Sequence, residues 1–169
     1  MKKITKSKNN TFLKCLLSVL IFLGIYFLPH KVNAEISNTE INGDNLLASS
    51  EFLRDLDYET WQLVVYQSPL NNGNLVLRVI GYPGSLRIDH PLSLNIDSGR
   101  KNWLLEDITV SNSYLLNDNR QAAVEYDLDP LITSISQNRP LRLSLAGVFS
   151  EMPVPPYLVK EWRSLKKNL

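Results

Sequence analysis

Two runs rich in β-branched and aromatic residues, Thr60 to Gln67 and Leu75 to Tyr82, are separated by a short stretch containing Asn71-Asn72-Gly73. Such a pair reads as a β-hairpin closed by a glycine-containing loop. Both runs are apolar at odd and even positions. A strand of that kind needs cover on both faces, as at the centre of a sandwich or beneath a helix on its second face.

Further strand signals follow. Leu86 to Asp89 and Leu92 to Asp97 alternate apolar and polar residues, Trp103 to Ile108 and Ala123 to Tyr126 continue the series, and Leu141 to Leu145 alternates most cleanly. Short helices are predicted at Leu46 to Leu56, with Ser49 or Ser50 as N-cap, and at Asp129-Pro130, with Asp129 as N-cap and Pro130 at the first helical position. After Pro153-Val154-Pro155-Pro156, a helix is predicted from Tyr157 to Lys167. Leu158, Trp162, Leu165 and Leu169 form its apolar stripe, with Lys160, Arg163, Lys166 and Lys167 off it. The stripe is what docking on a sheet requires, and a basic amphipathic helix is also suited to peripheral membrane contact. The fold class expected is mainly β, an antiparallel sandwich or open barrel, with a C-terminal amphipathic helix and one or two short helices.

The N-terminus reads as an address. Lys2, Lys3, Lys6, Lys8 and Lys14 precede an apolar run from Cys15 to Leu28, and Val32-Asn33-Ala34 follows. These are the charged region, the apolar region and the small-residue cleavage site of a secretory signal peptide, with cleavage between Ala34 and Glu35. The apolar run has 14 residues, short of the roughly 20 that a spanning helix needs. Cys15 opens that run, where a lipid-accepting cysteine would lie after it. The expected organisation is a signal peptide at 1–34, a flexible leader at 35–45 and a single β-rich domain at 46–169.

Removal of the first 34 residues leaves 12 basic against 17 acidic residues, a net charge of −5. Such a chain is a poor partner for phosphate backbones, so no nucleic acid is expected. From residue 35 onward there is no cysteine and His90 is the only histidine. Disulfides, thiolate nucleophiles, cysteine-ligated zinc and paired-histidine metal sites are therefore excluded by count. No cofactor and no metal are expected.

The remaining candidates are weak signals individually. His90, flanked by Asp89 and Pro91, has the chemistry of an acid or base near neutral pH. It lacks an assignable nucleophile, and a local hydrogen bond at a strand junction accounts for it as well. Glu125, Asp127 and Asp129 alternate like oxygen ligands for calcium but lack the glycine and distal glutamate of a calcium loop. Gly81-Tyr82-Pro83-Gly84 matches a type II turn. It also fits a presented loop, with Tyr82 as an aromatic contact and Arg78, Arg87 and His90 near it.

Three segments together carry a resemblance: Trp61-Gln62-Leu63-Val64, Leu77-Arg78-Val79-Ile80-Gly81-Tyr82-Pro83-Gly84, and Pro153-Val154-Pro155-Pro156-Tyr157-Leu158-Val159-Lys160-Glu161-Trp162. With His90-Pro91, they resemble a family of small exported cyanobacterial proteins known only as a domain of unknown function. The resemblance spans roughly Phe52 to Leu165. It implies export to the periplasm or thylakoid lumen and assigns no catalytic residue.

The reading that follows is a non-enzymatic exported β domain that binds another protein and helps assemble or maintain a membrane complex, such as a photosynthetic one. Its expected contact residues are Arg78, Tyr82, Pro83, Gly84, Arg87, His90, Pro155, Pro156 and Tyr157. One alternative is a binder of a small apolar ligand in a barrel or sandwich pocket. A second is a carboxylate-based hydrolase, which requires Asp89 or Asp97 to converge with Glu125 or Asp127.

Overall fold

Asn42 and Gly43 both adopt left-handed backbone conformations, with φ of 57° and 88°. A two-residue turn of this kind matches the twist of paired strands and nucleates a hairpin. It joins β1 (Ile36–Ile41) to β2 (Asp44–Arg54), with Ile41 opposite Asp44. The expected flexible leader at 35–45 is thus corrected, since most of it is a strand and a tight turn. The helix expected over Leu46 to Leu56 is corrected as well. That segment is β2, paired with β1 on one side and with β3 on the other, and ladder pairing overrides its local helical preference.

The computed structural model describes residues 36–82, 88–117 and 122–167, all within one unit, Asn33–Leu169. The signal peptide and the Ala34/Glu35 junction lie outside the described residues, as do Pro83, Gly84, Arg87 and Leu169.

The next elements are β3 (Thr60–Gln67), β4 (Leu75–Ile80), β5 (Leu94–Asp97), β6 (Asn102–Leu105), a single-turn helix α1 (Ser113–Leu116), β7 (Ala123–Asp127) and α2 (Asp129–Ser134). β8 (Leu141–Leu145), β9 (Phe149–Val154) and α3 (Pro156–Lys167) complete the series. A five-stranded sheet has the order β1-β2-β3-β4-β7, and a four-stranded sheet has the order β6-β5-β8-β9. Among the described residues every pairing of these strands is antiparallel. The sheets do not close into a barrel, so the sandwich is the form the fold takes.

Alternation decides which side chains fill it. Trp61, Leu63 and Val65 of β3 and Leu75, Leu77 and Val79 of β4 enter one core with Leu94, Ile96, Leu143 and Met152 of the second sheet. α3 adds Leu158, Val159, Trp162 and Leu165, so the predicted stripe docks. Ser49 Oγ donates to Glu161 Oε2 at 2.9 Å and Gln67 Nε2 to the Leu165 carbonyl at 3.0 Å, which sets the helix over β2 and β3. The residues of opposite parity, Val64, Tyr66 and Val76, join Ile41 and Ala48 in a second cluster on the outer face of the five-stranded sheet. The two-sided apolarity of β3 and β4 has its explanation in these two clusters.

Trp61 is fully buried and tilts against Phe149, with ring centroids 5.0 Å apart. Its indole nitrogen donates to Asp55 Oδ2 at 2.9 Å, while Asp55 Oδ1 accepts the backbone N–H groups of Asp57 and Glu59. One buried carboxylate thereby closes the β2–β3 turn and satisfies the polar edge of the largest core residue.

Candidate functional site

The outer face of the five-stranded sheet carries a buried polar network. Glu125 of β7, only 3% exposed, accepts from the Tyr66 hydroxyl at 2.5 Å and from Arg78 Nε at 2.8 Å through Oε1. Its Oε2 accepts from Asn112 Nδ2 at 3.0 Å. Arg78 also donates to Asn42 Oδ1 at 2.9 Å and stacks over the Tyr66 ring, 5.4 Å from its centroid. A buried carboxylate is stable as an ion only when its lone pairs are used in this way. Burial, reinforced by the neighbouring Glu125 charge, pushes the Tyr66 hydroxyl well above its ordinary pKa despite the opposing pull of Arg78.

Beside it lies the segment 106–112, which covers the open edge of β7. Asp107 bridges to Tyr126, and the Ile108 N–H donates to the Glu125 carbonyl at 2.9 Å. The Asp107 side chain, 1% exposed, accepts four hydrogen bonds: His90 Nδ1 at 2.7 Å, the Leu92 N–H at 3.0 Å, and the Thr109 N–H and hydroxyl at 2.9 and 2.5 Å. Burial works to raise the Asp107 pKa, but the donors from Thr109, His90 and Leu92 outweigh it and hold the carboxyl below its usual range. The Tyr126 hydroxyl, raised by burial and by the Asp107 charge, donates to the Leu92 carbonyl at 2.9 Å. The His90–Pro91 peptide is cis.

A histidine held by a buried carboxylate is the orienting half of a catalytic triad. Among the described residues, the one hydroxyl bonded to the pair sits on the wrong member. Thr109 donates to the acid, not to the imidazole, and its oxygen also accepts the Glu125 N–H at 2.9 Å. A nucleophile must be deprotonated by the base to act, and Thr109 is placed for neither step. The geometry suits positioning, with Asp107 fastening the His90 loop and the 106–112 segment together.

That segment continues into α1. Asn112, 3% exposed, caps it by accepting from the Tyr114 and Leu115 N–H groups while donating to Glu125. A single helical turn has no stability of its own, so this cap and the buried carboxylate hold it in place. Yet its large side chains face water: Val110, Tyr114 and Leu116 are 63%, 60% and 54% exposed.

The predicted contact residues are distributed around this arrangement. Arg78 is sequestered by Glu125, with its side chain 12% exposed. Tyr82 is exposed just beyond β4, and His90 is partly exposed against Asp107. Pro155 precedes α3, Pro156 is its first residue, and Tyr157 packs against the main core, on the opposite face of the five-stranded sheet from Arg78. The structure thus brings His90 close to the β7 edge and separates Arg78 from Tyr157. Of the calcium-like carboxylates, Asp127 accepts from Asn74 and from the Asp129 N–H. Asp129 accepts from the Leu75 N–H and pairs with Lys166. The expected N-cap role of Asp129 is therefore corrected: α2 begins after Leu128, and the Asp129 carboxylate ties β4 to α3.

Asp107, Thr109, Asn112 and Tyr66 were not singled out by sequence. The Asp107-Ile108-Thr109 step carries a local signal, since an aspartate that accepts from the N–H two residues on makes an Asx turn. Nothing in the spacing points to His90 or Glu125 as its neighbours.

A family model described as "Protein of unknown function (DUF3122)" matches residues 34–165. The chain belongs to this family. The match takes in both sheets, the Asp107 and Glu125 networks and nearly all of α3. Searches of curated proteins and of solved structures return no match.

Proposed function

We propose that this DUF3122 member is an exported, non-enzymatic β-sandwich that binds another protein, in the assembly or maintenance of a membrane complex in the periplasm or thylakoid lumen. The observation that carries the reading is the braced apolar display at the β7 edge. Buried polar groups of Asp107, Asn112 and Glu125 hold a segment whose Val110, Tyr114 and Leu116 side chains remain in water. Exposed apolar groups on a rigid support mark contact surfaces. Among the described residues, ten large hydrophobics are exposed, and only Leu104 belongs to the four-stranded sheet. The others, including Phe52 and Tyr82, lie on the five-stranded sheet or on segments bordering it. Cyanobacterial origin and a photosynthetic partner rest on the resemblance in sequence, and export rests on the pattern of residues 1–34.

The geometry gives the alternatives less support. Trp61, Leu77, Leu143 and Trp162 fill the space between the sheets, where an apolar ligand would have to lie. Asp97 is on the four-stranded sheet and bonds its own turn at Gly99, while Glu125 and Asp127 are on the five-stranded sheet, where Glu125 is engaged by Tyr66, Arg78 and Asn112 and Asp127 by Asn74 and the Asp129 N–H.

The test is affinity capture of the tagged protein from its own membranes, in parallel with a Val110→Ser/Tyr114→Ser variant. A defined complex captured in stoichiometric amount by the wild type and lost with the variant, at unchanged circular dichroism, is the expected result. Equal capture by both, or none by either, overturns this surface as the binding site.

A further inference from the structure

Between the β5–β6 turn and the segment after α2 lies a cleft of about 190 Å³ whose wall includes Arg100, Lys101, Trp103, Ser134, Gln137 and Arg139. Among the described residues its wall holds three cations and no carboxylate, although residues 35–169 carry a net charge of −5. No ion pair engages Arg100, Lys101 or Arg139 among the described residues. The nearby Asp97 is turned to its own loop, where it accepts the Gly99 N–H at 2.5 Å.

The wall is also held in place. Trp103 Nε1 donates to Ser134 Oγ at 2.8 Å, and Ser134 Oγ in turn donates to the Leu131 carbonyl at 2.8 Å. This chain fixes the indole of β6 against α2. Gln137 Oε1 accepts from both Nε and Nη2 of Arg139, at 3.1 and 3.0 Å, which aims the guanidinium and leaves its Nη1 hydrogens for another acceptor. Arg163 Nη1 donates to Asn138 Oδ1 at 2.5 Å and so anchors the segment after α2 to α3.

We infer that this cleft binds a small soluble anion carried on a ring, of the class of sugar phosphates and sugar sulfates. Clustered cations recognise the phosphate or sulfate through charge-assisted hydrogen bonds, and an arginine fork does so with directional preference. Trp103 both packs against the main core and lines the cleft, and an indole is suited to contact with the apolar face of a ring. The volume holds about six waters at ~30 Å³ each, which is room for one ring with its anionic group. It is below the roughly 300–1,000 Å³ of a drug-sized site. Ser134 and Gln137 supply polar contacts for ring hydroxyls. The inference is independent of the protein-binding reading.

Tryptophan fluorescence reads the test directly, because Trp61 and Trp162 are 0% and 1% exposed while Trp103 is partly open. The purified protein is titrated with glucose 6-phosphate, glucose 6-sulfate, glucose and inorganic phosphate. A saturable change with the first two is expected, with glucose and phosphate at least about tenfold weaker. Salt weakens the binding, and an Arg100→Gln/Arg139→Gln variant, which leaves Trp103 in place, loses about tenfold or more. The inference is overturned by no saturable response to either sugar ester, by unchanged binding in the variant, or by phosphate alone binding as tightly as the esters.

Discussion

Tyr66 and Glu125 lie on strands that flank β4, and the phenol donates to the carboxylate at 2.5 Å while Arg78, on the strand between them, bonds to both. Asn112 and Asn42 complete the set. Three strands, the first hairpin turn and the α1 cap are thus joined through one carboxylate.

Removing that carboxylate leaves a guanidinium in a buried setting without its counter-charge. Glu125→Ala is expected to cost about 3–5 kcal/mol, read as a lower urea midpoint. Tyr66→Phe, which leaves the ion pair intact, should cost about 1.5–3 kcal/mol. Equal losses in the two variants would show that the carboxylate is not the hub.

β1 offers a second check. Amide hydrogen exchange should find protection in Ile36–Ile41, because these residues pair with β2. Gly43→Ala, at φ 88°, should destabilise the protein by about 1–2 kcal/mol and reduce protection in β1 first. Rapid exchange throughout β1 in the wild type would contradict the pairing.

Acid stability should depend on Asp107. Its folded pKa is depressed, so the stability it contributes is fully present above the unfolded value of about 3.9. That contribution is lost as pH falls through the lower folded value. Asp107→Asn should therefore destabilise the protein most at neutral pH, and the gap to wild type should narrow in strong acid. A gap independent of pH would assign the effect to packing alone.

Glu161 runs the opposite way. Burial raises its pKa, against the hydrogen bond from Ser49 and with the help of the Glu51 charge. A carboxyl with a raised folded pKa favours the protonated form, so its effect turns unfavourable as pH rises from the unfolded value through the folded one. Glu161→Gln should compare better with wild type at pH 7 than at pH 3. Thermal unfolding at the two values decides it, and the reverse order would refute the assignment.

The strands with strong alternation or dense β-branching were legible in the sequence. β3, β4, β8 and α3 fall within a residue or two of where their patterns place them, because burial on a defined face leaves a periodic trace. β1 and β2 were not legible. Asp44 to Arg54 contains good helix formers such as Leu46, Leu47, Ala48 and Glu51, and only pairing with β3 makes the segment a strand. The Asn42-Gly43 signal was present but lay in a stretch too polar to suggest strands around it.

The candidate site was legible in fragments. His90 and Arg78 stood out by residue type, yet their partners are distant in the chain: Asp107 is 17 residues from His90 and Glu125 is 47 from Arg78. Such convergence leaves no periodic signal. The exposure of Val110, Tyr114 and Leu116 was hidden for a related reason. Apolar residues in a polar loop look like ordinary core anchors until the fold shows which way they point.

α3 follows the strands of both sheets in the chain, yet Leu158, Val159, Trp162 and Leu165 are part of the main core. Its inner-face partners on β2 and β3 precede it by about a hundred residues. The strands therefore complete their packing only once a segment about a hundred residues further along the chain has joined them.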